Sequence, residues 1–168
     1  MSILQLIRHP ACADQVRGIS AGLERSAGGL RITYILLGDL SGCVIPLAGP
    51  ARRGDKLWQH TCFELFVSPD LPAYREFNFS PSGEWAAYAF SGYRQAIDAP
   101  IATPSLSVRR GADRLELEAM IPVIATSRVS VALSAVIEGK PGVLSYWALK
   151  HPPGKPDFHH ADGFAFEL

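Results

Sequence analysis

The sequence predicts an all-β protein, a single antiparallel β-sandwich of jelly-roll type, and three observations carry that prediction. Apolar residues recur with a period of two from Leu30 to Lys150. Turns rich in Gly and Pro punctuate the pattern at even spacing. Only two short segments, Pro10 to Val16 and Ile121 to Arg128, read as helix.

Val16 to Arg25 reads as the first strand, and Ser26–Ala27–Gly28–Gly29 as its hairpin turn. Leu30 to Leu37 is β-branched and apolar, stops at Gly38–Asp39 and resumes as a strand over Cys43 to Leu47. Gly49 to Lys56 is polar and reads as a loop; its Arg52–Arg53 doublet, like Arg109–Arg110, lies beside a glycine and suggests a solvated turn. Three strands follow, Cys62 to Val67, Tyr74 to Ser80 and Trp85 to Phe90, broken by Ser68–Pro69–Asp70 and by Ser80 to Gly83. Gln95 to Pro104 is a connection. Ser105 to Arg109 pairs through the turn Arg110 to Asp113 with Leu115 to Ile121, which alternates without interruption. Val129 to Ile137 and Val143 to Lys150 flank the turn Glu138 to Gly142, before a tail interrupted by prolines. No repeat or linker divides the 168 residues, so one domain spanning 1–168 with its own core is expected.

Charge and cysteine content narrow the function classes. Lys plus Arg and Asp plus Glu each number 16, a balance that argues against nucleic acid or an anionic membrane as partner. Cys12, Cys43 and Cys62 show neither metal spacing nor a disulfide pattern. The apolar run at the start is broken by Arg8, His9 and Pro10, unlike a signal peptide, and no segment approaches the ~20 apolar residues of a membrane span. A reducing, cytoplasmic location is the default expectation.

The candidate site emerges from strand phase. Side chains alternate faces along a strand, so Phe63, Leu65 and Val67 share one face while Cys62, Glu64 and Phe66 share the other. Phe77 and Phe79 likewise oppose Tyr74, Glu76, Asn78 and Ser80. Two neighbouring strands therefore present two carboxylates, an amide and a phenol on one surface, with Trp85, Tyr88 and Phe90 following. Glu64 and Glu76 have three readings: a general acid/base pair as in glycoside hydrolysis, a solvated sheet face, or hydrogen-bonding partners for sugar hydroxyls. Asn78, Tyr88 and the tryptophans suit recognition better than proton transfer. Trp58 and Trp147 suit the rim of such a face, where an indole can stack on a sugar ring, whereas Trp85 suits core filling equally well. The candidate ligand-binding set is Trp58, Glu64, Glu76, Asn78, Tyr88 and Trp147, with His151 and His160 from the tail loop. Residues of a solvated face contribute little to folding, so Glu76→Ala and Asn78→Ala are expected to weaken binding while hardly changing stability.

Metal and haem chemistry find little support in the residues. His151, Asp157, His159 and His160 sit in a stiff proline-rich segment and read as exposed or satisfied side chains, not as metal ligands. Met120 falls on the face shared with Glu116 and Glu118, a poor neighbourhood for a haem. The chain has no nucleophile elbow and no phosphate-binding glycine loop.

Two stretches carry a family resemblance. LWQHTCFELFVSPDLPAYREFNFSPSGEWAAYAF and SYWALKHPPGKPDFHHADGFAFEL resemble the DOMON-like β-sandwich group related to family 9 carbohydrate-binding modules. The resemblance matches Trp58 leading into the strand of Glu64, then Tyr74, Glu76, Asn78, Pro81, Gly83 and Trp85, and finally Pro156, Asp157, Phe158, His159 and Phe164. It implies a jelly-roll-like sandwich whose concave face binds a sugar or, in other DOMON branches, a haem. The acidic loops that hold calcium in some sugar-binding relatives are not evident, so calcium is not expected. The functional expectation is a non-catalytic domain binding a carbohydrate or sugar-containing metabolite, with a haem-binding redox domain or a glycoside-processing enzyme as alternatives.

Overall fold

In the computed structural model, two β-sheets face each other across one apolar core; residues 2–10, 16–122 and 128–168 are described. Among them the strands are β1 (Ser2–Arg8), β2 (Val16–Ser26), β3 (Gly29–Gly38), β4 (Arg52–Arg53), β5 (Cys62–Asp70), β6 (Ala73–Phe79), β7 (Glu84–Phe90), β8 (Ala96–Ile97), β9 (Ser105–Arg110), β10 (Arg114–Pro122), β11 (Ser130–Gly139), β12 (Val143–Ala148) and β13 (Phe166–Glu167). Helical structure among the described residues is confined to three 3-10 turns at Leu40–Gly42, Leu57–Gln59 and Ala161–Gly163. None is long or apolar enough to cross a membrane. The two helix candidates of the sequence have their central residues, 11–15 and 123–127, outside the described residues, and Cys12 lies there too.

The first sheet runs β9-β10-β3-β2-β1 and the second β4-β7-β6-β5-β11-β12-β1. Every pairing is antiparallel except β4 with β7. Strand β1 belongs to both sheets: Ser2 to Leu6 pair with β2, then Ile7 and Arg8 pair with Ala148 and Trp147 of β12. Strand patterning does not mark β1, because it is exposed at Ile3 and Ile7 and buries only Leu6 well.

Period-two patterning builds the core. Ile19, Leu23, Ile32, Tyr34, Leu36, Leu115 and Leu117 of the first sheet meet Phe63, Leu65, Val67, Phe77, Phe79 and Leu133 of the second. Buried Tyr34 spans the interface and donates its hydroxyl to the Glu64 carbonyl at 2.7 Å, which satisfies the polar end of an otherwise apolar side chain. The inner residues of β5 and β6 are therefore fixed, and their alternates must point away from the core.

Three loop and strand assignments change. Cys43 to Leu47 forms no strand: Cys43 makes an isolated bridge to Gly139, Val44 bonds the Glu138 carbonyl, and Pro46 has no amide hydrogen with which to extend a ladder. Arg52 and Arg53 are the short strand β4 in place of a solvated turn. Arg52 pairs with Glu84 at 2.7 Å, while Arg53 lies 5.9 Å from the Trp85 ring and donates to the Ala87 carbonyl. Arg109 and Arg110 end β9, and Arg109 pairs with Glu116 across the ladder.

Candidate functional site

The outer face of the second sheet is the floor of a cavity of about 600 Å³. Its cross-strand rows follow from register: Asn78, Glu64 and Ser134 lie side by side, and Tyr88, Glu76 and Phe66 form the next row. Glu64 and Glu76 thus stand on adjacent strands as diagonal neighbours. Tyr88 and Phe90 of β7, Val136 of β11, and Leu144 and Tyr146 of β12 extend the lining. The walls come from outside the sheet: Trp58 and Gln59 from one 3-10 turn, Arg94 from the turn after β7, and Pro156, Phe158 and His159 from the tail.

Those walls convert an outer sheet face into an interior. Glu64 is only 3% exposed, Glu76 5% and Asn78 0%. Asn78 Nδ2 donates to Glu76 Oε1 at 2.9 Å, whereas Asn78 Oδ1 is buried without a hydrogen-bond partner. Glu64 accepts one long bond, 3.4 Å, from Ser134 Oγ. Burial pushes the Glu64 carboxyl well above the usual carboxylate range, and the nearby Glu76 pushes it further. Burial also raises Glu76, to about 7, against the opposing effects of the Asn78 hydrogen bond and of Arg94. Burial thus disfavours the ionised form at both carboxyls, and Glu76 titrates near neutral pH.

His159 is seated in an aromatic box. Its ring lies 5.2 Å from Phe66, 5.2 Å from Phe90 and 5.8 Å from Tyr74. The Arg94 amide donates to the Tyr74 hydroxyl at 3.1 Å, so that hydroxyl sends its own proton to His159 Nδ1, 2.8 Å away. This network assigns the hydrogen to His159 Nε2, which faces Glu76 Oε2 at 3.6 Å. Burial lowers His159 to about 4, with Arg94 acting in the same direction, so the ring is neutral at physiological pH and its contact with Glu76 is no ion pair. Arg94, at a positive φ of 54°, bonds Asp157 at 2.9 Å. Tyr93 donates to the other Asp157 oxygen at 2.5 Å, so Asp157 ties the tail wall to the turn after β7.

The structure brings four members of the sequence-derived set to the cavity lining: Trp58, Glu64, Glu76 and Tyr88. Trp58 is 41% exposed at the rim, with its ring edge-on to Tyr88 at 6.2 Å. Asn78 lies beneath as a buried support, so the expectation that it belongs to a solvated face is overturned. Trp147 is not at a rim. It is 5% exposed within the intersheet core, with its indole N–H on Ser145 Oγ at 3.2 Å, and the neighbouring Tyr146 takes the outward phase of β12. His151 bonds the Ile7 carbonyl at 2.7 Å and packs beside His9, away from the lining. His160 accepts from the Asp162 amide as the cap of the last 3-10 turn, and His159 faces the cavity in its place. Sequence reasoning also missed Arg94, whose role depends on a turn joined to a segment 63 residues away.

A haem does not fit this cavity. Its lining offers one histidine, already engaged by Tyr74, while Met120 lies on the outer face of the other sheet, accepting from Ser26 Oγ at 3.5 Å. Among the described residues no group of three or more His, Cys, Asp or Glu side chains is placed to hold a metal ion.

The fold is shared with solved carbohydrate-binding structures. A protein from Bacteroides uniformis ATCC 8492 for which carbohydrate binding is inferred superposes with a TM-score of 0.71 at 14% identity, covering 100% of this chain and 85% of the other. A family 9 carbohydrate-binding module from Caldicellulosiruptor kristjanssonii in complex with glucose gives a TM-score of 0.63 at 10% identity, over 94% of this chain and 78% of the module. A module of that family from the same organism in complex with cellotriose gives 0.57 at 10% identity, over 86% and 70%. The architecture is thus the β-sandwich seen in family 9 carbohydrate-binding modules. No family model matches the chain, and no curated protein matches it significantly.

Proposed function

We propose that the cavity on the second sheet binds a carbohydrate without transforming it. The observation that carries this reading is the pairing of a floor of under-bonded buried carboxyls with walls of Trp58, Tyr88, Tyr146 and Phe158. A sugar has the complementary chemistry: hydroxyl donors around its edge and apolar C–H faces suited to aromatic rings. The shared sandwich supports the reading, since two of its structural neighbours hold glucose and cellotriose. Isothermal titration with glucose, cellotriose and a wider panel of mono- and oligosaccharides tests it. Saturable binding that Glu76→Ala weakens ten- to a hundredfold is expected, corresponding to ~1–3 kcal/mol for an unmade buried hydrogen bond. Absence of binding across the panel, or wild-type affinity in Glu76→Ala, overturns it.

One observation favours a second reading, glycoside processing. Two mutually interacting carboxyls, one raised to about 7, could serve as acid and base. Turnover of aryl glycosides that Glu76→Gln abolishes would select this reading, and an inert protein that still binds sugar would reject it.

A further inference from the structure

We infer that the ligand of this cavity carries a basic nitrogen, and that the fitting carbohydrate is an amino sugar with a free, unacetylated ammonium group. The inference rests on the carbohydrate reading and adds to it the chemistry at one substituent.

Three observations point there. First, Glu64 lines the cavity, is 97% removed from solvent, and receives only the 3.4 Å bond from Ser134; among the described residues its other carboxyl oxygen has no partner. Second, the cations near the floor are committed or absent. Arg94 directs its hydrogen bonds to Asp157 and the Tyr93 hydroxyl, and the Tyr74 hydrogen bond holds His159 as a neutral Nε2–H donor. Third, Trp58, Tyr88, Tyr146 and Phe158 surround the carboxyls with rings whose faces attract a cation. Buried carboxyls short of hydrogen-bond partners under aromatic walls would ionise against an ammonium and hold it more strongly than a hydroxyl, because charge pairing strengthens where water is excluded.

The cavity should also select by pH. The titratable and charged groups around the two carboxyls are Cys62 beside Glu64 on β5, its thiol pushed up by burial and by Glu64, Tyr74 beside Glu76 on β6, Tyr88 of β7 with Asp55 at 3.5 Å behind it, Tyr146 of β12, Arg94, and Asp157 and His159 of the tail. Of these, Tyr74 and Tyr88 stay neutral, Asp157 stays ionised against Arg94, and His159 stays neutral between pH 5.5 and 7.5. Glu76 is the group that changes, gaining its proton as the pH falls through about 7. An ammonium then loses its carboxylate, whereas a neutral sugar keeps a hydrogen-bonding carboxylic acid.

A matched series differing only at C2 decides the matter. Cellotriose, its tri-N-acetylamino counterpart and its free triamino counterpart present a hydroxyl, an acetamide and an ammonium on one β-1,4 backbone. Titration of each into the full chain at pH 7.5 should show the triamine binding at least tenfold tighter than the other two. That advantage should shrink at pH 5.5 and disappear in Glu76→Gln, a variant whose melting curve verifies folding. If cellotriose or the acetylated trimer binds as tightly as the triamine, or if Glu76→Gln keeps the preference, the amine inference falls and the carbohydrate reading survives. If none of the three binds, the amine inference falls, and the carbohydrate reading falls with it when the wider sugar panel is also unbound.

Discussion

The two sheets carry glutamates in the same sequence idiom and give them opposite chemistry. On the first sheet, Glu116 and Glu118 alternate with Leu115, Leu117 and Ala119; on the second, Glu64 alternates with Phe63 and Leu65. Glu116 sits between the exposed side chains of Arg109 and Arg114, which hold its carboxyl below the usual carboxylate range. Glu64 meets no such arginine and Arg94 only partly offsets the burial of Glu76, while the tail and the Leu57–Gln59 turn close over both, so burial drives both upward. Alternation decides which face a side chain takes. What lies above that face decides whether the side chain is a solvated ion or a buried acid.

The largest effect that sharpens this contrast comes from adjacent residues on opposite faces of β12. Trp147→Ala removes an indole from the core and should cost ~3–5 kcal/mol, lowering the melting temperature by roughly 6–20 °C at this chain length. Tyr146→Ala should spare most of that stability and instead weaken sugar binding. Differential scanning calorimetry beside sugar titration would expose the reverse outcome, which would place Trp147 in the cavity.

Next is a pH effect of opposite sign on the two faces. Glu76 binds its proton more tightly folded than unfolded, so its contribution is fully present below about pH 4.5 and is lost as the pH rises through about 7. The shift corresponds to about 3 kcal/mol. Urea midpoints of the wild type should therefore decline between pH 5 and pH 8, and Glu76→Gln should flatten the decline. An unchanged slope would mean that Glu76 is not buried as described.

Asn78→Ala should cost ~1–3 kcal/mol, because it removes the buried donor of Glu76 Oε1. It should also move the Glu76 titration upward, since that hydrogen bond holds the carboxyl down. Carboxyl chemical shifts followed through a pH titration would report the movement, and a downward shift would contradict the network. Smallest of all, Glu116→Gln should change stability by less than ~1 kcal/mol near neutral pH. That difference should vanish in acid, where a carboxyl with a lowered titration point loses its contribution as it is protonated. A larger loss would remove the distinction between the faces.

Much of the fold was legible because one face of nearly every strand is buried, which fixes register and phase. Glu64, Glu76 and Tyr88 reached the cavity on phase alone. Trp147 and His160 each lie one residue away from the side chain that lines it. On β12 the pattern Ser-Tyr-Trp-Ala is aromatic on both faces, so alternation could not rank Tyr146 against Trp147. At His159–His160 the chain is irregular, and no period applied. Arg94 and β1 were invisible for another reason: both are defined by partners distant in sequence, Asp157 for one and β12 for the other. The burial of Asn78 depended on the tail that covers it, which strand patterning does not describe.

The dual membership of β1 has a consequence for the order of assembly. Ile7 waits for Ala148, and the Val129 amide pairs with the carbonyl of Leu168, so the seams of the sandwich close between segments made far apart in time. Contacts of such long sequence separation slow folding. A ribosome-bound chain could pair β2 with β3 early, yet β1 would keep one free edge until β12 emerged. The tail that roofs the carboxyls emerges later still, so the pocket is among the last features to mature. A sugar that binds only the roofed pocket would serve as a reporter of a docked tail.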